Sequence, residues 1–243
     1  MLRPEGGFPK PWRDPDAFFN AYKMKLPRDH RAAAGPPALY DSKTAMQFFL
    51  LVALGLREKH YVMDIGCGSL RVGRLLIPFL LPGRYYGIDP MEWMIEAGIV
   101  KEIGADLIRL RKPVLSNDEG FNLSSFGMKF DFLLAQSVFS HAPQRMVTKC
   151  LGEAAKVMRP EAVFAATYLK GESDFTGAKF SPGAPYTFGF FERSAGRVGL
   201  ACREIPWPHN GQQWILFAWP QFIDGACRRA KHPLSMLAVG LKG

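Results

Sequence analysis

Between residues 40 and 55 apolar side chains recur at helical spacing, with Met46, Phe48, Phe49, Val52 and Ala53 on one run, Asp41 or Ser42 as a cap, and Gly55 as the stop. The pattern then alternates between two periods. Residues 61–65 read as a buried strand, 70–81 as a helix and 84–88 as a second strand. Pro90 suits the first position of a helix running to about residue 103, because its missing N–H falls where no intrahelical bond is required. A short third strand at 114–115, a strong fourth at 130–136, a helix over 145–158 and a fifth strand at 162–168 continue the run. Strands that alternate with helices imply right-handed crossovers and a parallel sheet covered on both faces.

The two ends depart from this alternation. After a helix over 187–198, the segments 200–205 and 213–219 are strands whose connection is too short for a helical crossover, so they pair antiparallel. Residues 170–186, rich in Gly, Ser and Pro, read as a loop. The first forty residues are interrupted by Pro4, Pro9, Pro11, Pro15, Pro27, Pro36 and Pro37, with a single short amphipathic stretch at 16–24. Proline at that density rules out a long element. The expected organisation is an arm or lid over 1–40, one α/β domain over 41–220 and a basic tail over 221–243.

Composition fits one globular core: of 243 residues, 48% are hydrophobic and 22% charged. The net charge of +9 alone would point toward nucleic acid or an anionic surface. Its distribution weakens that reading. Residues 1–40 hold seven Lys/Arg against four Asp/Glu and residues 221–243 four against one, which leaves +3 for the 180 residues between. The Arg228, Arg229 and Lys231 patch is too short for polybasic recognition. Cys67, Cys150, Cys202 and Cys227 show neither a C-x-x-C pair nor the density of a secreted scaffold, and are read as free thiols. With no apolar leader segment and no run of about 18 apolar residues, a cytoplasmic protein without a membrane span is expected. Oligomeric state is left open.

Candidate chemistry concentrates where the first strand ends. The string VMDIGCGSLRVGR places Asp64 in the strand, then Gly66, Cys67 and Gly68 in a turn, then a helix. Such glycines remove side chains that would block a nucleotide-like ligand, and the following helix aims unpaired N–H groups at it. A dinucleotide fingerprint needs a third small residue three positions after Gly68, where this chain has Arg71. Asp89, closing YYGIDP, can accept hydrogen bonds from both hydroxyls of a ribose. Asp64 adds negative charge that disfavours a pyrophosphate and welcomes a cation.

With these residues the chain resembles the class I S-adenosylmethionine-dependent methyltransferases from about residue 61 to residue 219. The resemblance implies a Rossmann-like seven-stranded, mostly parallel sheet with helices on both faces and an antiparallel C-terminal hairpin. It implies S-adenosylmethionine as cofactor, with Asp64, Gly66, Cys67 and Gly68 against its methionine part and Asp89, followed by Pro90, at the ribose. Asp118, with Glu119 as rival, would meet the adenine amine, and Phe121 would cover the ring. Gln136 and Ser137, ending FDFLLAQSVFSH, would face the methyl group.

Arg71 near a helix N-terminus opposes the macrodipole, which suggests pairing with the cofactor carboxylate or Asp64, against a solvent-facing alternative. His141, five residues past Gln136, is the candidate general base, against a bracing role in its loop. His209 in a turn sequence reads as structural, and His30, His60 and His232 as surface or linker residues. Trp207, Trp214 and Trp219 with Phe188, Phe190 and Phe191 read as core rather than an acceptor wall. Transfer of a methyl group to an oxygen or nitrogen of a small molecule or glycan is the expected function. An RNA methyltransferase and a non-catalytic cofactor-binding partner are the alternatives.

Overall fold

The computed structural model describes residues 29–231. Residues 1–28 of the expected arm, with the amphipathic stretch at 16–24, and the expected tail beyond Lys231, with His232, lie outside the described residues. Seven strands form one path in the order β3-β2-β1-β4-β5-β8-β7, where β1 is Val62–Ile65, β2 Tyr85–Ile88, β3 Val114–Ser116, β4 Phe130–Ala135, β5 Met158–Lys170, β7 Ala201–Ile205 and β8 Gln213–Ala218. Pairing is parallel from β3 through β5, and β8 runs antiparallel to both β5 and β7. A two-residue strand, β6 (Pro185–Tyr186), pairs with the far end of β5 inside the segment expected as loop. Its side chains alternate too briefly to show a period of two.

Alternation along each strand divides the core into two faces. Met63, Ile65, Leu133, Phe164 and Phe217 pack against α6 (Gln144–Val157) and α7 (Phe188–Gly196). Val62, Phe132, Leu134 and Leu216 pack against α2 (Tyr40–Ala53), α3 (Gly73–Phe79) and α8 (Pro220–Ala230). Helix α8 occupies the segment expected as a solvated tail. Ile223, Ala226 and Ala230 recur on one buried face, and Arg229 Nε donates to Leu54 O at 2.8 Å, so its basic residues are the outer side of a packed helix. No described helix is long and apolar enough to cross a membrane.

Three helix starts differ from the sequence expectation, each for a local reason. Helix α2 follows directly from a turn at Pro37–Leu39 and has no side-chain cap from Asp41 or Ser42. Its most buried residues are Tyr40, Thr44, Gln47, Leu50 and Leu51, on the opposite side of the helix from the centre of the apolar run that marked it. Helix α3 begins at Gly73, not residue 70, because Leu70 sits in left-handed backbone at φ +59°. Helix α4 (Glu92–Gly98) begins past Pro90, because Asp89 draws the Met91 N–H into a turn; it continues as a π turn to Ile103. A short α5 (Ala105–Arg111) then precedes β3, and α1 (His30–Ala33) lies before α2.

Candidate active site

Strands β1, β2 and β4 end level with one another, with Ile65 beside Ile88 and Asp64 beside Leu134. The strand order reverses between β1 and β4, and such a switch point opens a crevice at the carboxyl edge of the sheet. A cavity of about 760 Å³ lies there. Gly66, Cys67, Gly68 and Arg71 line it after β1, and Asp89 and Pro90 after β2. Asp118, Glu119 and Phe121 line it after β3, and Gln136, Ser137 and His141 after β4.

The floor is built for close approach. Gly66 and Gly68 adopt φ +70° and +52°, and a Cβ on Gly66 would meet Val138 Cγ2 at 2.5 Å. The Gly66 and Cys67 N–H groups both donate to Ile88 O, at 2.8 and 3.0 Å. Gly68 N–H donates to Asp89 Oδ2 and Met91 N–H to Oδ1, each at 2.9 Å. Each carboxylate oxygen keeps a further lone pair for a ligand hydroxyl. Burial pushes the Asp89 carboxyl up to about 6, against the lowering by these two N–H donors. The Cys67 thiol, buried beside Asp89 and Asp64, is pushed well up and is no nucleophile.

Asp64 is the expected site residue that the structure keeps out of the cavity. With a period of two along β1, its side chain points to the same face as Val62, where Tyr85 Oη donates to Asp64 Oδ2 at 2.6 Å. Burial pushes its carboxyl up to about 7. Its position is beneath the turn, where it acts on Arg71 through space.

The β3 loop is organised by Asp118. Oδ1 accepts from the N–H groups of Gly120 and Asn122 at 3.0 and 2.8 Å, and Oδ2 from the Asn122 amide at 2.5 Å. Phe121, at φ +53°, is turned in against the cavity by this loop, and Ser137 is held at φ +60° across from it. Non-glycine residues in left-handed backbone cost about 1–3 kcal/mol each and gather at functional sites.

Gln136 is the centre of a side-chain network that sequence reading did not foresee. Its Oε1 accepts from Gln47 Nε2 at 2.8 Å and from an Arg71 guanidinium nitrogen, while its Nε2 lies 2.6 Å from Ser137 Oγ and 2.8 Å from His209 Nε2. Arg71 also donates to Ala34 O at 2.7 Å, so it faces neither solvent nor Asp64 directly. Gln212 Nε2 donates to Ser137 Oγ and Ser140 Oγ, and its backbone N–H meets His209 Nδ1 at 3.1 Å. A backbone N–H can only donate, so Nδ1 is the acceptor and the neutral His209 ring carries its proton on Nε2. Burial, then Lys43 and Arg71, hold its pKa down at about 4, so the ring is neutral. His141 is different: its Nδ1 lies 2.8 Å from Ser181 O, a pure acceptor, so Nδ1 carries the proton and Nε2 keeps a lone pair.

The wall opposite the sheet comes from residues 29–35. Ala32 to Gly35 line the cavity, and the segment is fastened by Glu102, whose carboxylate meets His30 Nε2 at 2.8 Å, Arg31 Nε at 2.7 Å and Arg74 Nη1 at 3.5 Å. His30 is thus buried in an ionic clamp and is not a surface residue. His60 is half-buried, its ring 5.3 Å from that of Phe132. Lys43, Gln47, His209 and Gln212 are the site residues that sequence reading missed. Polar Thr44 and Gln47 on the inward stripe of α2 were the available signal, since buried polar groups need partners.

Residues 63–164, from β1 into β5, match a family model described as a methyltransferase domain. The chain thus resembles a methyltransferase domain over 102 of its 243 residues. Its fold is that of the class I S-adenosylmethionine-dependent methyltransferases, as solved structures show at low identity. Magnesium protoporphyrin IX methyltransferase from Synechocystis with bound SAM aligns at TM-score 0.57 and 15% identity over 84% of this chain and 90% of that one. An S-adenosylmethionine-dependent methyltransferase from Clostridium acetobutylicum aligns at 0.56 and 13% over 84% and 98%. Mitomycin 7-O-methyltransferase MmcR aligns at 0.54 and 15% over 77% and 55%. No curated protein matches the chain significantly. The seven-stranded methyltransferase sheet with its antiparallel hairpin is as the sequence resemblance implies.

Proposed function

We propose that this domain transfers the methyl group of S-adenosylmethionine to an oxygen or nitrogen of a small molecule or glycan. The observation that carries the reading is Asp89: a buried carboxylate fixed by two backbone N–H groups, with lone pairs left over, beside a floor where two glycines clear the space. In this reading Asp89 accepts from the ribose hydroxyls, Gly66, Cys67 and Gly68 admit the methionine part, and Pro90, Asp118 and Phe121 flank the adenine. Arg71 faces the carboxylate, and Asp64 contributes its field from below. The bound cofactor supplies a methyl carbon already activated by the sulfonium. Gln136 and Ser137 shape the space beside that carbon, and most of the rate comes from holding the acceptor in line. His141 Nε2 takes the acceptor proton. Magnesium protoporphyrin IX and mitomycin, named in two neighbours, support a small-molecule acceptor.

Calorimetry of the full chain with S-adenosylhomocysteine and with NAD tests the cofactor; uptake of NAD alone would end the reading. Labelled cofactor offered to small-molecule, glycan and RNA fractions tests the acceptor class. Labelled RNA, with affinity falling steeply with salt, would reassign it, and label in no fraction would leave a binding protein. His141→Ala is expected to lower turnover by about 10² to 10⁴-fold with S-adenosylhomocysteine affinity intact. Equal loss of both would make His141 a brace.

A further inference from the structure

A second cavity of about 550 Å³ lies between helix α2 and the loop joining β7 to β8, within the roughly 300–1,000 Å³ typical of small-molecule sites. It shares Lys43 and Gln212 with the first, and Gln47 lines it while donating to Gln136 in the first. The two cavities therefore meet at the reacting end of the carboxyl edge.

Leu39, Met46, Trp207, Pro208 and Trp214 give it an apolar, ring-bearing wall, facing a polar side that includes Gln47, Asn210, Gln212 and Gln213. The indoles are fixed, since Trp207 Nε1 donates to Met46 O at 3.0 Å and Trp214 Nε1 to Pro208 O at 3.2 Å. Their donors are thus unavailable to a ligand, and what remains toward the cavity is hydrocarbon. Among the described residues the one charged side chain lining it is Lys43, with His209 neutral. Among the described residues Lys43 has no acidic partner, and Arg71 is its charged neighbour. Burial and that second cation lower its pKa, as an ammonium left without a counter-ion must do.

We infer that this second cavity is the acceptor pocket, and that it takes a planar aromatic acid whose carboxylate is held by Lys43. The inference deepens the methyltransferase reading and rests on it. Fixed rings and prolines favour a flat body, and a single ammonium without a surrounding nest of N–H groups suits a monoanionic carboxylate better than a phosphate. Because Lys43 stands where the cavities join, the acid group, and any hydroxyl or amine beside it on the ring, lies on the cofactor side.

The test uses the full chain, first titrated with S-adenosylhomocysteine and then, once saturated, with benzoate, 2-naphthoate and indole-3-acetate, each against its uncharged amide. At least one acid is expected to bind, tenfold or more above its amide. Lys43→Met is expected to remove that preference, Lys43→Arg to restore it, and Trp207→Leu to weaken acid and amide alike, each read with S-adenosylhomocysteine saturating. No binding of any acid at millimolar concentration, equal binding by Lys43→Met, or loss of S-adenosylhomocysteine affinity in that variant overturns the pocket or gives the lysine to the cofactor. Failure of the first titration strikes the methyltransferase reading instead.

Discussion

The two halves of the carboxyl edge are made differently. Around Gly66 to Asp89 the surface is backbone: two glycines, two N–H groups on one carboxylate, and two adjacent strand ends joined by a contact that spans 21 residues of sequence. Around Gln136 it is side chains drawn from α2, the β4 end and the hairpin loop, with partners 73 and 89 residues from Gln136. Backbone cradles tolerate little change at their glycines and carry a short signature. A side-chain network can be reshaped residue by residue, which suits the part of an enzyme that chooses its acceptor.

The sharpest break of the backbone half is Gly66→Ala. Left-handed backbone costs about 1–3 kcal/mol, and a Cβ 2.5 Å from Val138 Cγ2 adds overpacking of about 1–3 kcal/mol. Thermal unfolding is expected to show a drop of several degrees and calorimetry a loss of S-adenosylhomocysteine binding, with Val138→Ala relieving only the contact. Asp89→Ala comes next: removing hydrogen bonds to a charged acceptor is worth about 1.5–3 kcal/mol, so affinity is expected to fall at least tenfold. Unchanged affinity would take Asp89 out of the site.

Asp64 gives a pH signature. Its carboxyl is raised from 3.8 to about 7 in the fold, so the protonated form is the one the fold favours. The stability this contributes is fully present below about 4 and is lost as pH rises through about 7. Compared with Asp64→Asn, the wild-type melting temperature is expected to fall between pH 5 and pH 8, and parallel curves would contradict the burial. His209→Ala is the smallest change, expected to leave S-adenosylhomocysteine affinity within about twofold, because it removes neutral hydrogen bonds worth about 1 kcal/mol on the acceptor side. A tenfold loss there would merge the two halves.

The same division explains what could be read from sequence. Gly66, Gly68 and Asp89 signal themselves within one strand–helix–strand unit, from β1 through α3 to the end of β2, and the strands through β5 follow from local period. Asp64 was read as a ligand-facing acid because a motif fixes spacing and not which face of β1 a side chain takes. Gln47 and His209 meet Gln136 only once α2 and the β7–β8 loop close over the edge, across 89 and 73 residues of sequence. The run that marked α2 is only partly buried, with Phe49 exposed and Met46, Phe48 and Ala53 against the core, while the stripe holding Thr44 and Gln47 looked like its surface. The basic segment after residue 220 read as tail because Arg228 and Arg229 mask a stripe of only three buried residues.

Asp89 ties the turn after β1 to the turn after β2 before any ligand arrives. An incoming nucleoside therefore meets a seat already set, and the entropy lost on association is its own rather than that of an ordering loop. Departure likewise leaves the seat standing, so successive rounds of exchange begin from one and the same receptor shape.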